Sequence, residues 1–444
     1  MNFARLFVAL AGLFVFPQVG LARGPLVLDG GAEAHHVVVG PGGETHIAVW
    51  VEAPVIERVN VRAPLSLSLV IDVSGSMSGE KIQNARMAAA SLLESLADGD
   101  LVSLVTFSDQ VRVLHPPVAL SPQSRATLHR LVSGIQAVGG TNLYGGLTTG
   151  IQYAAAGPRS HPVRRVVLIS DGQGNVGPSD PYSLGNASAQ GSEQRVQVSA
   201  IGVGVDYDEH ALSTIAVRSA GRFYHLANPT QLAGILETEM GLLAKTVATD
   251  VVIEIVPGPG VIILESLTPG ARLEHGKLEM PLGALHGGQR REVLFRARVM
   301  DGAPGEKKLA SARVRYAQPS GGAAEVKRDI AAEVTRDREV AAKSRKDARV
   351  TALVAEYQAS QAELRAAEAL AAGNQAAAVA ELERAERVVA EAAAGAPPAA
   401  RKRLESKASK IRSHTDGARG ASTPGAQRAL SLEARDSAME SFGY

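Results

Sequence analysis

The chain has 444 residues, enough for two or three domains with cores of their own. Its 46 Lys and Arg against 45 Asp and Glu leave a net charge of +1, so no strong field argues for nucleic acid, and aromatics at 4% exclude base stacking as a mainstay. Cysteine is absent, which excludes disulfides, thiolate metal sites, thiol catalysis and a lipoprotein anchor but leaves the redox compartment open.

Arg5 precedes an apolar run from Leu6 to Phe16, followed by Pro17 and the small-residue ending Gly20-Leu21-Ala22. Residues 1–22 read as a secretory signal peptide cleaved after Ala22. The run is short for a bilayer span, and small residues sit at the cleavage-determining positions; an uncleaved anchor is the alternative. No later stretch is long and apolar enough to span a membrane. The mature protein is therefore expected to be exported, periplasmic or extracellular, without an integral span. Its Ala, Gly and Arg richness suggests a bacterial source.

Residues 24–65 alternate and are punctuated by turns, with strands expected at 36–40, 45–51 and 56–61. His35, His36 and His46 fall here without a clear fourth ligand, so they read as surface residues rather than a metal cluster.

The stretch Leu65 to Gly79 organises the middle of the chain. A run rich in Leu, Val and Ile climbs to Asp72, breaks into Ser74-Gly-Ser76, and gives way to a helical pattern of Ile82, Ala85, Ala89 and Leu96. Asp72, Ser74 and Ser76 alternate, so three oxygens can converge beyond the strand's carboxyl end, as hard divalent cations require. Alone this is a weak signal, because Ser and Gly are ordinary turn residues. Two later stretches strengthen it. Gly139-Gly-Thr-Asn-Leu-Tyr-Gly-Gly146 places Thr141 in a glycine-rich loop, and Val166-Val-Leu-Ile-Ser-Asp-Gly172 is a second apolar strand ending in Asp171. The set Asp72, Ser74, Ser76, Thr141 and Asp171 resembles the metal-ion-dependent adhesion site of von Willebrand factor type A domains.

Across 66–246, strands expected at 66–73, 101–107, 164–170 and 196–203 alternate with helices at 80–97, 143–156, 208–219 and 229–245, with a short edge strand at 111–115. That alternation predicts an α/β fold, a doubly wound and mostly parallel sheet covered on both faces. The resemblance implies a Rossmann-like strand order with Asp72 and Asp171 on neighbouring central strands.

From 247 to 334 about six short strands separated by Pro/Gly turns predict a β-sandwich, which the strands of 24–65 are expected to join; two independent β units are the alternative. Residues 335–413 turn rich in Ala, Glu, Arg and Lys and read as an α-helical hairpin region, a C-terminal arm whose 370–379 turn resembles that of a tetratricopeptide repeat. Arg401, Arg403, Lys407, Lys410 and Arg412 form a basic cluster, read as a solvated helix face or a contact for an acidic partner. Residues 414–444 have few apolar anchors and are expected to be a flexible tail.

The resemblance implies a divalent cation, Mg²⁺ first with Mn²⁺ or Ca²⁺ possible. Ser74, Ser76 and Thr141 would be direct ligands, and Asp72 and Asp171 charged or water-bridged ones. The partner would be a protein offering an Asp or Glu carboxylate to the open coordination position. A scaffold or accessory subunit of a cell-envelope complex, binding through the sandwich or the arm, is the alternative. No enzyme is expected. Ser78-Gly-Glu-Lys81 fits S-x-x-K without the companion motifs of serine acylases, and there is no H-E-x-x-H or Walker loop. Asp72 as a mere helix cap, Thr141 as turn chemistry, and Asp206, Asp208 and Glu209 as capping acids are the structural readings of the same residues.

Overall fold

The computed structural model describes residues 25–56, 63–319 and 321–444; the expected signal peptide at 1–22 and most of the strand expected at 56–61 lie outside them. The chain begins with β1 (Val27–Ala32), β2 (His36–Val38) and β3 (Glu44–Glu52). An α/β unit comes next, made of β4 (Leu65–Asp72), α1 (Glu80–Ser95), β5 (Leu101–Phe107), β6 (Val111–Ala119), α2 (Pro122–Ser133), α3 (Leu143–Ala155), β7 (Val163–Ser170), α4 (Pro181–Glu193), β8 (Val196–Val203), α5 (Glu209–Arg218), β9 (Phe223–Leu226) and α6 (Leu232–Ala244).

Its sheet runs β6-β5-β4-β7-β8-β9, parallel throughout except for β6. Helices cover both faces, so every residue of β4 and β8 is buried, including the polar Ser66, Ser68, Gln197 and Ser199 between their apolar positions. Val70, Val105, Phe107 and Leu168 pack with Leu147 and Leu184 on one face; Leu67, Leu69, Ile71 and Ile169 pack with Leu92, Leu128 and Leu236 on the other. Pro116 and Pro117 lie in β6, at the sheet edge, where a missing N–H costs least.

Seven further strands succeed it: β10 (Thr246–Pro257), β11 (Val261–Ser266), β12 (Arg272–Glu274), β13 (Lys277–His286), β14 (Arg290–Val299), β15 (Gly305–Ala317) and β16 (Ala323–Thr335). They form two sheets, β1-β3-β14-β11 and β12-β13-β10-β15-β16-β2. β3 pairs antiparallel with β14 from Glu52↔Arg290 to Glu44↔Arg298, and β2 runs parallel to β16, so strands from before and after the α/β unit share both sheets rather than forming separate units. Ile47, Val49, Val293 and Phe295 of one sheet and Ile253, Ile255, Met280 and Val314 of the other belong to one core.

The remainder is helical: α7 (Arg338–Ala342), α8 (Ala348–Ala371), α9 (Gln375–Gly395), α10 (Pro398–Gly420) and α11 (Pro424–Phe442). Contrary to the sequence-based expectation, residues 414–444 are not a flexible tail; they complete α10 and form α11, which buries Leu432, Ala434, Ala438, Met439 and Phe442. Phe442 meets the Tyr357 ring edge-on with centroids 5.2 Å apart, and the Tyr444 hydroxyl donates to the Pro269 carbonyl at 2.8 Å. The tail's composition misled because alanine and serine, poor anchors in a loop, let helices approach closely. The basic cluster is spent largely in ion pairs within the chain, with Lys407 buried, Arg403 half-buried, and Arg401, Lys410 and Arg412 exposed. Arg403 pairs with Glu292 and Glu356, Lys407 with buried Glu363, Lys410 with Glu440, and Arg412 with Glu386.

Candidate metal centre

The chain leaves β4 toward β5 on one side and returns through β7 on the other, so the carboxyl ends of β4 and β7 flank the point where strand order reverses. In such sheets that crevice is where ligands bind. Three loops meet there, and backbone hydrogen bonds tie two of them together. Val138 N–H donates to the Val73 carbonyl at 2.6 Å, and Gly75 N–H to the Gly139 carbonyl at 2.9 Å. Gly139 has φ +83 and lies against the Asp109 carboxylate, which accepts from Gly140 N–H at 2.8 Å; only glycine suits that backbone and that approach.

The side chains form a connected set. Asp72, the last residue of β4, is fully buried; Oδ1 accepts from Ser74 N–H at 2.8 Å and Oδ2 from the Ser170 hydroxyl at 2.5 Å. Ser74 Oγ lies 3.0 Å from Ser76 Oγ, and Ser76 Oγ donates to Asp171 Oδ1 at 2.8 Å. Lys81, in the first turn of α1, donates through Nζ to Asp171 Oδ2. Thr141 is held by its backbone. Its N–H donates to Asn175 Oδ1 at 2.8 Å, and its carbonyl accepts from Asn175 and Val176 N–H. The Thr141 side chain is buried, yet its hydroxyl makes no hydrogen bond among the described residues. A Cβ placed on Gly172 would stand 3.3 Å from Thr141 Oγ1 and 3.4 Å from Ser76 Oγ, so the two hydroxyls flank one point.

All five expected residues thus sit at one end of the sheet, Asp72 as the last residue of β4 and the other four on loops. Burial pushes the Asp72 carboxyl up to about 6, opposed by the hydrogen bonds from Ser170 and Ser74, with the Asp171 charge adding to the rise. Asp72 does not cap α1, whose N-cap is Gly79, and the cap of α3 is Asn142 rather than Thr141. Four contributors escape the sequence pattern: Ser170, Asn175, Asp109 and Lys81. The last was visible as a cation nine positions after Asp72, at the start of a helix that opens beside the loop.

The donor set fits a hard divalent cation. Only oxygens are offered, the Thr141 hydroxyl makes no hydrogen bond to another described residue, and hydrogen bonds offset the burial cost of Asp72 only in part. The N-terminal histidines offer nothing comparable: His46 Nδ1 is 2.7 Å from Glu33, and among the described residues no group of three or more His, Cys, Asp or Glu is arranged for a metal.

Residues 67–238 match the von Willebrand factor type A domain family. The chain carries a von Willebrand factor type A domain. An uncharacterized Synechocystis protein is 26% identical over 292 residues, covering 63% of this chain and 67% of that relative. Human inter-alpha-trypsin inhibitor heavy chain H4 is 30% identical over 166 residues, 36% of this chain but only 18% of the heavy chain. A solved von Willebrand factor type A structure from Catenulispora acidiphila superposes with a TM-score of 0.75 at 20% identity, covering 95% of this chain and 98% of that one. The fold likeness therefore extends beyond the α/β unit to the sandwich and helices.

The acids after β8 of the von Willebrand factor type A domain serve two purposes. Asp208 caps α5, accepting from Ala211 N–H at 3.0 Å. Glu209 instead receives the Arg428 guanidinium of α11, at 2.8 and 2.6 Å, while the same side chain donates to the Val205 and Tyr207 carbonyls. This clamp holds the C-terminal helix on the loop that leaves β8.

Proposed function

We propose that the von Willebrand factor type A domain binds a protein ligand through a divalent cation held at Asp72, Ser74, Ser76, Thr141 and Asp171. The observation that supports this most is the convergence of two buried carboxylates and three hydroxyls at the switch point of the sheet. A bound dication, Mg²⁺ first with Mn²⁺ or Ca²⁺ as alternatives, would supply an open position for a ligand's Asp or Glu carboxylate. The chain's part is to fix the donors. Ser170 and Ser74 immobilise Asp72, Asn175 seats Thr141, and the Gly75–Gly139 hydrogen bond keeps the loops in register.

The site is read as a binding module without catalysis, because its carboxylates are tied to hydroxyl, amide and ammonium donors rather than poised as bases. Among the described residues no helix is long and apolar enough to cross a membrane. The leader-like residues 1–22 support a periplasmic or extracellular role. The test is capture of a partner by full-length mature protein with Mg²⁺, with chelator, and with Ser76→Ala. Capture by metal-loaded wild type alone supports the reading. Capture under all three conditions refutes it in favour of a scaffold acting through the sandwich or arm.

A further inference from the structure

Lysine is an unexpected residue at position 81. It lies in the first turn of α1, where the positive end of the helix disfavours a cation. The side chain is nevertheless drawn inward. It is only 23% exposed, and Nζ donates to Oδ2 of Asp171, whose carboxylate is 0% exposed. One wall of its path is bare backbone: a Cβ on Gly204 would stand 3.5 Å from both Cε and Nζ of Lys81. Gly204 has φ +82, and its N–H donates to the Leu226 carbonyl at 2.8 Å, so that wall is fixed by β9.

The two oxygens of Asp171 are divided between different neighbours. Oδ1 faces Ser76 and the hydroxyl set, while Oδ2 faces the ammonium. Lys81 therefore leaves the hydroxyl side of Asp171 open and removes one unit of negative charge from the site. Two ionised carboxylates and one ammonium sum to −1. A dication held there keeps net positive charge, whereas two carboxylates alone would neutralise it.

We propose that Lys81 is the resident counter-cation of the metal centre: it weakens the hold on a divalent ion and leaves the bound ion electrophilic toward an acidic ligand. This rests on the metal-binding reading given above. Removing a like charge from the immediate surroundings of a bound ion strengthens its binding, and Lys81→Met is expected to tighten it by about tenfold or more, while Lys81→Arg stays within about threefold of wild type.

The experiment is a direct titration of full-length protein with Mn²⁺ alone, followed by electron paramagnetic resonance of the free ion. It is run on wild type, Lys81→Met, Lys81→Arg and Ser76→Ala, each checked for its folded circular dichroism spectrum. Lys81→Gln is the second neutral variant should methionine disturb the fold. Tighter binding in the neutral variants, including binding where wild type shows none, supports the proposal. Equal or weaker binding in them, with wild-type binding abolished by Ser76→Ala, overturns the role of Lys81 and leaves the metal centre standing. Absence of binding in wild type and neutral variants alike, or binding indifferent to Ser76→Ala, overturns both.

Discussion

Arg428→Ala should release α11 from the loop after β8. The guanidinium makes two hydrogen bonds to Glu209, at 2.8 and 2.6 Å, and one each to the Tyr207 and Val205 carbonyls, at 2.8 and 3.2 Å. Glu209 is buried, so truncating its partner leaves a carboxylate with its desolvation uncompensated; breaking such a pair costs about 3–5 kcal/mol. The Arg428 side chain is 26% exposed, and water can partly replace it, which brings the expected cost to about 2 kcal/mol. α11 belongs to none of the sheets, so the loss should appear locally. Hydrogen exchange on the full chain reads it directly. Amides of α11 and the 204–212 segment should lose about thirtyfold in protection, while those of β4 and β7 change little. Adding Glu209→Gln to the variant should recover part of the loss, because the stranded charge is gone. Unchanged protection in α11 would refute the clamp and return residues 424–442 to the loosely held tail that their composition suggests.

Gly146→Ala sets helix propensity against packing. Alanine favours the helix by about 1 kcal/mol, but its Cβ would stand 2.5 Å from the Phe107 ring, and overpacking costs about 1–3 kcal/mol. Packing should win, lowering the thermal midpoint by a few degrees; a raised midpoint would contradict the close approach of α3 to β5. Acid should weaken the contact between β9 and α11. Burial holds His225 down at about 4, with Arg428 adding to the drop and Glu209 opposing it. The unfolded chain takes up a proton near pH 6.5 that the folded chain refuses until about pH 4. The resulting stability is complete above pH 6.5 and is lost as pH falls through that window. Partial solvent screening limits the loss to about 1–2 kcal/mol. Urea midpoints of wild type and His225→Gln at pH 7.5 and 4.5 should diverge by that amount, and parallel pH dependence would count against it. Asp436, pushed up to about 6 by burial, works in the opposite sense, and the comparison with the variant cancels its contribution.

The legible parts of this chain were those with strong periodicity. Strands whose Leu, Val and Ile residues climb to Asp72 and Ser170, with the amphipathic helix after Gly79, placed the α/β layer and the two acidic strand ends. Segments built from small or mixed residues were not legible. α4 buries Leu184, Ala187 and Ser188 together with Gly185 and Gly191, so close approach rather than apolar bulk holds it down. β9 has four residues and gains its place only by pairing with β8. α2 carries its start signal in a Ser121 capping box, but its mixed composition gives little apolar periodicity to accompany it. At the candidate site the acids and hydroxyls stood out by spacing. The partners that set their charge did not, because Lys81 and Ser170 acquire meaning only once β4 and β7 lie side by side.

An ion held in the crevice between the ends of β4 and β7 would be visible directly by diffraction. Crystals of the full chain grown or soaked with Mn²⁺, measured near the manganese absorption edge, give the answer in one anomalous difference map. The expected result is a peak within coordination distance of Ser74, Ser76 and Thr141, with Asp72 and Asp171 in direct contact or one water away. A map without a peak there at saturating Mn²⁺, with the loops ordered, or a peak at some other group of residues, would contradict it.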